Sequence, residues 1–185
     1  MVIIVMGVSG SGKTHVGKLL AEALLLPFYD ADNFHPPSNV AKMEQGNPLT
    51  DADRLPWLTI LADKIKIWNT QGGAVLACSA LKESYRIQLS VNYTANVRFV
   101  YLQGSKELIL NRMLERDHFF PPELLDSQFA DLEEPSSDEP SLDEPGSDEP
   151  QRAITVSSKQ LPEVMVEEIV ERLGGRPESS QKKRE

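Results

Sequence analysis

The sequence predicts an α/β fold in which a five-stranded parallel sheet is flanked by helices. Short apolar runs alternate along the chain with segments whose apolar residues recur at helical spacing, a pattern typical of parallel sheets covered on both faces. The first apolar run leads directly into a glycine-rich loop and then into a helix. The length of 185 residues fits one domain with a substantial core. We therefore expect a single domain over residues 1–173.

The individual strands and helices follow from the apolar pattern. Residues 2–6 form a β-branched apolar run that stops at Gly7, which predicts a strand buried on both faces. The helix that follows the loop has an amphipathic stripe made of Val16, Leu19, Leu20, Ala23 and Leu24. Further strands are predicted at 27–30, 74–78, 97–102 and 153–156, and helices near 52–70, 82–90, 105–115 and 161–173.

Two regions interrupt this alternation. Four prolines punctuate the long stretch between the second and third strands, and we expect a small substrate-binding subdomain there, at about 33–70. After "DLEEP", the three units SSDEP, SLDEP and GSDEP fill residues 136–150. Proline at every fifth position prevents a continuous helix, and the charge density opposes collapse. We therefore expect a disordered insert at 136–150 and a disordered tail at 174–185.

The charge and composition exclude several classes of protein. The net charge is −9, but nine of the 28 acidic residues lie in 131–150, which leaves 19 acidic residues against 19 basic ones. No broad basic surface indicates nucleic-acid binding, and no window approaches the ~18 apolar residues of a membrane span. The N-terminal residues lack the features of a signal peptide. The single cysteine, Cys78, excludes an intramolecular disulfide and favours a buried thiol in a cytoplasmic protein.

The glycine-rich loop carries the strongest motif. Gly7, Gly12, Lys13 and Thr14 satisfy G-x-x-x-x-G-K-[ST] between a predicted strand and a predicted helix. In such a loop the backbone N–H groups and the helix N-terminus face phosphate oxygens, while the lysine reaches the β- and γ-phosphates and the threonine hydroxyl reaches Mg²⁺. A strand-to-helix turn without function is the alternative. The loop residues predicted to bind ATP are Gly7, Val8, Ser9, Gly10, Ser11, Gly12, Lys13 and Thr14.

A phosphate loop alone does not separate a kinase from a GTPase or a transport ATPase. The chain has no N-K-x-D or L-S-G-G-Q motif, and its only D-x-x-G, at 143–146, lies inside the repeat. Asp30 and Asp32 follow the second predicted strand, two residues apart in what we expect to be an extended segment, so that both point to one side. Such a pair can serve a metal shell and an attacking hydroxyl. An Asx turn that closes the strand is the alternative.

Four segments resemble the gluconokinase family of P-loop small-molecule kinases. They are "MGVSGSGKT", "YDADNFHPPSNVAKMEQGNPLTDADRLPWL", "ACSALKESYR" and "HFFPPELLDSQFADLEEP", spread over residues 6–135. The resemblance implies a P-loop kinase fold with a substrate-binding subdomain and a mobile lid at about 112–135. It also implies transfer of phosphate from ATP to D-gluconate with Mg²⁺, and a homodimer.

The resemblance assigns roles to individual residues. It implies that Lys13, Asp32 and Arg116 are catalytic and that Thr14 and Asp30 hold the metal. Because a guanidinium recognises a planar carboxylate better than an ammonium does, Arg54 and Arg86 are the main candidates for the gluconate carboxylate. The full set of predicted substrate-binding residues is Asp32, His35, Arg54, Lys82 and Arg86.

Each of these residues also has a purely structural interpretation. Arg54 could form a surface salt bridge, Lys82 and Arg86 could share one exposed helix face, and His35 could pack in a loop. Arg116 and Arg112, four residues apart, could form a charged face with Glu115. Trp57 and Trp68 are predicted to be packing residues.

The sequence departs from the gluconokinase pattern at two places. The family commonly has R-x-G-H-F where this chain has "RDHF" at 116–119, which leaves the geometry of the lid hinge open, and the proline repeat is longer than usual. Two alternatives to gluconate phosphorylation remain at this point. One is a related kinase that acts on another small hydroxy acid or nucleotide, and the other is a non-catalytic nucleotide-binding protein whose acidic repeat contacts a partner.

Overall fold

The computed structural model describes residues 1–90, 96–115, 122–135 and 153–174, without the side chains of 122–124. Five parallel strands form one sheet in the order β2-β3-β1-β4-β5. The predicted five-stranded parallel sheet is therefore confirmed, and each predicted strand matches its observed counterpart to within one residue. The strands are β1 (Val2–Met6), β2 (Phe28–Asp30), β3 (Ala74–Ala77), β4 (Val97–Gln103) and β5 (Ala153–Ser157).

The helices cover both faces of this sheet. All five predicted helices are present, and a short helix at Pro37–Glu44 lies in the proline-punctuated stretch where short helical pieces are predicted. The sequence pattern did not predict the helix at Pro122–Asp131 or the 3-10 helix at Ala31–Phe34. The α-helices are α1 (Lys13–Leu24), α2 (Pro37–Glu44), α3 (Asp51–Thr70), α4 (Glu83–Ser90), α5 (Lys106–Leu114), α6 (Pro122–Asp131) and α7 (Pro162–Arg172). In the described part of the chain, none of these helices has the length and apolarity needed to cross a bilayer.

The core has one layer on each face of the sheet. Side chains of β1 alternate between them: Val2, Ile4 and Met6 pack toward α3 and α4, whereas Ile3 and Val5 pack toward α1 and α7. All five are fully buried, as the uninterrupted apolar run predicted. Trp57 and Trp68 belong to the first layer, which confirms their predicted packing role, and Cys78 is buried in the same layer.

A third and smaller cluster lies at the end of the sheet. It contains Val8 of the glycine-rich loop, Leu81, Ile109 of α5 and Leu125 of α6. We call these four residues the loop cluster. They pack the loop against the two helices that precede and follow residues 116–121, which lie outside the described residues.

Strand register brings the predicted site residues to one edge. Ala77 in β3 pairs with Val5 in β1 and with Asp30 in β2, so the carboxyl ends of these three strands align. The strand order changes direction at β1, and ligands of open α/β sheets bind outside the carboxyl ends at such a point. The loop after β1, Asp30 after β2 and the segment after β3 therefore surround one region.

Several predictions concern segments that the structure covers only in part. The predicted insert at 136–150 and nearly all of the predicted tail lie outside the described residues, as do residues 116–121 of the predicted lid. The predicted subdomain at about 33–70 contains α2 and α3, and the sheet-facing side of α3 belongs to the first core layer. The boundaries of subdomain and lid stay predictions.

Candidate active site

The glycine-rich loop opens α1 without a side-chain cap. Gly12, the residue before the helix, has a φ of 101° and makes no capping bond, and the first turn of α1 contains no acidic residue. This φ favours glycine, since a Cβ would be strained there. The N-terminal N–H groups of α1 and its dipole are therefore available to an anion. The local geometry is that of a phosphate-binding loop.

Lys13 folds back across the loop. Its ammonium donates a hydrogen bond to Val8 O at 2.9 Å. Burial lowers the pKa of Lys13 from its ordinary value, while the negative charge of Asp32 opposes this shift and stabilises the ammonium. The Lys13 ammonium therefore lies where it can exchange its bond to Val8 O for a bond to a phosphate oxygen. The negative charge of Asp32 acts on it there.

Thr14 and Asp30 form a hydrogen-bonded pair of oxygen-bearing side chains beside the loop. Thr14 Oγ1 donates to Asp30 Oδ2 at 2.9 Å. Hydroxyl and carboxylate oxygens are the hard ligands that Mg²⁺ prefers, and Mg²⁺ in kinases takes most of its other ligands from phosphates and water. Within the described residues no three His, Cys, Asp or Glu side chains converge on a metal-sized site. The pair fits a nucleotide-bound Mg²⁺ better than a cage made by the protein alone.

Asp32 lies in the 3-10 helix and not in an extended segment, so that prediction is wrong. The physical reason is an Asx turn, in which Asp30 Oδ1 accepts from Asp32 N–H at 3.2 Å and caps the short helix. The turn that we considered as the alternative is therefore present. The Asp32 carboxylate is 87% exposed and faces His35 Nε2 at 4.0 Å, which leaves it free for a ligand.

Asp30 and Asp32 open onto a cleft of about 460 Å³. Thr14 is in its wall, so one depression contains the predicted metal pair and the predicted base. Five further residues complete the lining: Lys18, Phe28, Tyr29, Asn33 and Phe34.

His35 is fixed next to Asp32, although it does not line this cleft. Its ring stacks on Trp57 with centroids 4.4 Å apart and an interplanar angle of 14°, and its side chain is 6% exposed. Asn39 Nδ2 lies 3.4 Å from His35 Nδ1, and Trp57 Nε1 donates to Ala31 O at 2.9 Å. Burial lowers the pKa of His35, Asp32 opposes that shift and Arg54 adds to it. His35 therefore packs against Trp57 and also faces Asp32.

Five polar side chains, which we call the charge cluster, join α3, α4 and α6. Arg54 lies 3.6 Å from Asp51 and 3.7 Å from Asp131, and it donates to Tyr85 OH at 3.1 Å. Lys82 lies 3.0 Å from Asp51 and 3.4 Å from Asp131. Tyr85 OH donates to Asp51 as well. Two cations and two carboxylates thus balance, and the salt bridge considered for Arg54 is present.

A capping box fixes the start of α3 and hence the charge cluster. Thr50 Oγ1 accepts from Asp53 N–H at 3.3 Å, and Asp53 Oδ2 accepts from Thr50 N–H at 2.7 Å. Lys42 of α2 binds the same carboxylate at 2.6 Å. Asp51 and Arg54 occupy the first turn that this box orders.

Arg86 is a buried residue, which makes the exposed-face interpretation wrong for it. It is 2% exposed, and its Nη1 donates to Ala80 O at 3.1 Å and Leu81 O at 3.0 Å. These bonds hold the segment that leads to Lys82. Contact between Arg86 and a substrate stays a prediction.

The last prediction concerns the lid arginine. Arg116 lies outside the described residues, and α5 ends at Leu114, with Arg112 half-buried in its last turn. The role of Arg116 over the transferring phosphate therefore stays a prediction.

The structure adds three residues that sequence reasoning missed. Asp131 and Tyr85 belong to the charge cluster, and Gln128 of α6 binds the phosphate loop at Ser9. All three occur inside the quoted segments "ACSALKESYR" and "HFFPPELLDSQFADLEEP". Those segments indicated that these parts of the chain belong to the site. The contact partners of the three residues are far apart in sequence, however, so residue spacing alone did not predict the contacts.

Comparison with known proteins places this arrangement among small-molecule kinases. The sequence model of the shikimate kinase family matches residues 9–174. A probable gluconokinase of Xenopus tropicalis is 48% identical over 153 residues, covering 74% of this chain and 80% of the relative. A gluconokinase of Gluconobacter oxydans is 44% identical over 170 residues, covering 91% and 88%. The crystal structure of a gluconokinase from Sinorhizobium meliloti is similar with a TM-score of 0.80 at 39% identity, covering 94% of this chain and 91% of that one.

Proposed function

The chain belongs to the gluconokinase family of P-loop kinases, and from this we propose that it transfers the γ-phosphoryl group of ATP to D-gluconate, forming 6-phospho-D-gluconate. The observation that carries the proposal is the alignment of three features at one sheet edge. These are an uncapped phosphate loop, the Thr14–Asp30 oxygen pair and an exposed carboxylate at Asp32. A loop for phosphate, ligands for a metal and a group for an acceptor hydroxyl are the parts that phosphoryl transfer needs.

The loop supplies the positive field for the nucleotide. The N–H groups at the start of α1 bind phosphate oxygens, and Lys13 exchanges its bond to Val8 O for the phosphates. When bound, Mg²⁺ neutralises phosphate charge. Thr14 would be its direct ligand, and Asp30 would accept a hydrogen bond from its water shell. These contacts stabilise the charge that spreads over the transferred group.

Asp32 serves the acceptor hydroxyl. Its exposed carboxylate accepts the hydrogen bond of that hydroxyl and orients the oxygen toward the phosphate. Because phosphoryl transfer proceeds through a loose transition state, the proton leaves late and orientation matters as much as basicity. His35, held on Trp57 beside Asp32, supplies a fixed wall for the acceptor.

The charge cluster is the proposed site for the gluconate carboxylate. Arg54 and Lys82 are 18% and 23% exposed, so a small anion can reach them. Both cations already contact Asp131, and the substrate carboxylate competes with that residue. Arg86 supports the segment before Lys82, and Arg116, from the proposed lid, would add positive charge after closure.

A product assay tests the proposal. Purified protein is incubated with Mg-ATP and gluconate, shikimate or a nucleoside monophosphate, and the phosphorylated product is identified by mass spectrometry. We expect 6-phosphogluconate to be the main product. Omission of Mg²⁺ and the Lys13→Ala variant should both reduce turnover by at least about 10²-fold, because each removes charge stabilisation of the transition state. Preference for shikimate or a nucleotide, or no turnover with any acceptor, would contradict gluconate phosphorylation.

We further propose a cytoplasmic homodimer. The single buried cysteine suits a reducing compartment, and the dimer is implied by the family resemblance. Light scattering after size exclusion, at several protein concentrations, tests the dimer, and a monomeric mass throughout would contradict it.

A further inference from the structure

Ser9, in the middle of the phosphate loop, is held from outside by Gln128 of α6. Gln128 Oε1 accepts a hydrogen bond from Ser9 N–H at 2.6 Å, and Gln128 Nε2 donates to Ser9 Oγ at 2.9 Å. One carboxamide makes both bonds, so it restrains both the position and the rotation of Ser9. The two residues are 119 positions apart, and the contact therefore ties the loop to a helix far along the chain.

Apolar contacts support the same part of the loop. Val8 packs with Ile109 of α5 and Leu125 of α6 in the loop cluster. Gly10 has a φ of 79°, and a Cβ at this position would lie 2.7 Å from Met113 Cγ. Because such an approach requires glycine, the backbone at Gly10 lies directly against α5. The middle of the loop is thus clamped between two helices.

The loop has few bonds of its own that could hold Ser9. Ser11 N–H donates to Val8 O at 3.2 Å, and Lys13 Nζ donates to the same oxygen at 2.9 Å. Neither of these hydrogen bonds involves Ser9. A loop whose N–H groups must surround phosphate pays an entropic cost if it becomes ordered only on binding. A contact that orders Ser9 beforehand lowers this cost.

We propose that Gln128 is a positioning residue of the nucleotide site and that its carboxamide holds the phosphate loop in the form that binds nucleotide. The inference rests on the proposed kinase function but concerns nucleotide affinity and not the acceptor. Asp131 lies one helical turn after Gln128 and contacts Arg54 and Lys82. Helix α6 therefore contacts the phosphate loop and the proposed gluconate site from one face.

The variant Gln128→Leu removes both hydrogen bonds with little change in side-chain volume. We expect it to weaken Mg-ADP binding, measured by titration calorimetry without gluconate, by about 5- to 150-fold, the range for two net hydrogen bonds. In kinetics, KM for ATP should rise more than kcat falls. Gln88→Leu is the matched control, since the side-chain hydrogen bond of Gln88 among the described residues is a 3.4 Å contact with Thr59, far from the loop in sequence. It should bind Mg-ADP as the wild type does.

The variant Ser9→Ala provides the second arm. It deletes the bond to Oγ and keeps the bond from the N–H group, so it should weaken Mg-ADP binding by about 2- to 10-fold. Gln128→Leu should then have a smaller effect in the Ser9→Ala background than in the wild type. Urea unfolding without nucleotide checks that Gln128→Leu is folded. If it is not, the Mg-ADP affinity of Ser9→Ala alone tests the inference.

Two results would overturn the inference. Unchanged Mg-ADP affinity in Gln128→Leu would mean that the contact does not prepare the loop, and tighter binding would mean that Gln128 competes with phosphate. A third result would contradict the proposed function alone: Gln128→Leu weakens Mg-ADP binding, but the wild type does not phosphorylate gluconate.

Discussion

At the scale of single residues, the charge of His35 is set by its surroundings. The ring is buried on Trp57, and the charges of Asp32 and Arg54 both act on it. Burial lowers its pKa below the ordinary value of 6.5, so the folded protein keeps this ring neutral in a pH range where the unfolded chain protonates it. Neutral His35 therefore stabilises the fold fully above pH 6.5, and this stability is lost as pH falls toward the lowered pKa.

We accordingly expect the wild type to lose more stability between pH 7.5 and pH 5 than His35→Gln does. Urea unfolding at several pH values across that range measures the difference in free energy of unfolding. His15→Gln is the control, since it replaces an exposed histidine, and its curve should follow the wild type. Parallel curves for wild type and His35→Gln would show that protonation of His35 is not coupled to folding.

Local backbone geometry could be predicted where its determinants are contiguous in the sequence. Gly12, Lys13 and Thr14 sit in a contiguous motif, and the structure gives them the loop geometry that the motif requires. Asp32 was placed in the wrong backbone conformation because a single side-chain bond from Asp30 decided between an extended segment and a turn.

At the scale of elements, α6 couples two parts of the proposed site through long-range contacts. Asp131, at its end, neutralises Arg54 and Lys82 from α3 and the segment before α4. No periodicity in the sequence predicts this pairing, because its members are dozens of residues apart. Pro37 occupies the first turn of α2, where proline is compatible with a helix, so α2 agrees with the short helical pieces that the proline-punctuated stretch predicts.

Asp131→Asn should improve binding of the gluconate carboxylate. The change leaves Arg54 and Lys82 with one negative partner in place of two, so the charge cluster gains net positive charge. Partly exposed ion pairs contribute about 0.2–1 kcal/mol, which corresponds to a KM for gluconate roughly 1.5- to 5-fold lower. Initial-rate kinetics at low ionic strength measures it.

Asp126→Asn is the matched control for this experiment. Asp126 lies on the same helix but pairs with Lys106 at 2.6 Å, outside the charge cluster. Its KM for gluconate should equal that of the wild type. A higher KM in Asp131→Asn would mean that Asp131 orders the cations for the substrate and does not compete with it.

Helix α3 offers a second comparison within one element. Ile65 is fully buried in the first core layer, whereas Ile67 is 46% exposed on the same helix. Ile65→Ala should lower the free energy of unfolding by about 2–5 kcal/mol, because it leaves a cavity. Ile67→Ala should change it by no more than about 0.5 kcal/mol. Similar losses for both, in urea unfolding, would indicate that the outer face of α3 is covered.

At the scale of the whole molecule, the sheet was the most predictable feature. Strands β1 and β3 are uninterrupted apolar runs in which every residue is buried. Strand β4 is mostly buried as well, although it contains Arg98 and ends at the exposed Gln103. The predicted metal and base residues converge because parallel strands bring their carboxyl ends to one edge. The arrangement of α6 over the loop could not be predicted, since it depends on packing of Val8, Ile109 and Leu125.

The acidic repeat enters the chain where the fold tolerates insertion. Before it, Glu134 accepts hydrogen bonds from Tyr101 and Gln103 of β4, at 3.1 Å and 3.0 Å. After it, Ala153 pairs with Phe99 of the same strand. Both ends of the connection therefore contact residues 99–103 of β4, a span of about 13 Å along the strand at a rise of about 3.3 Å per residue.

Deletion of residues 136–145 should consequently leave catalysis intact. The seven residues that remain, 146–152, can span about 25 Å, and loop-closure entropy changes the free energy of unfolding by less than about 1 kcal/mol. We expect kcat and both KM values to stay within about twofold of the wild type, although the net charge falls from −9 to −5. A variant with ten Gly and Ser residues in place of 136–145 separates the effects of charge and length. A large loss of kcat in both variants, with unchanged urea unfolding, would show that the repeat sequence takes part in the reaction cycle and is more than a connection.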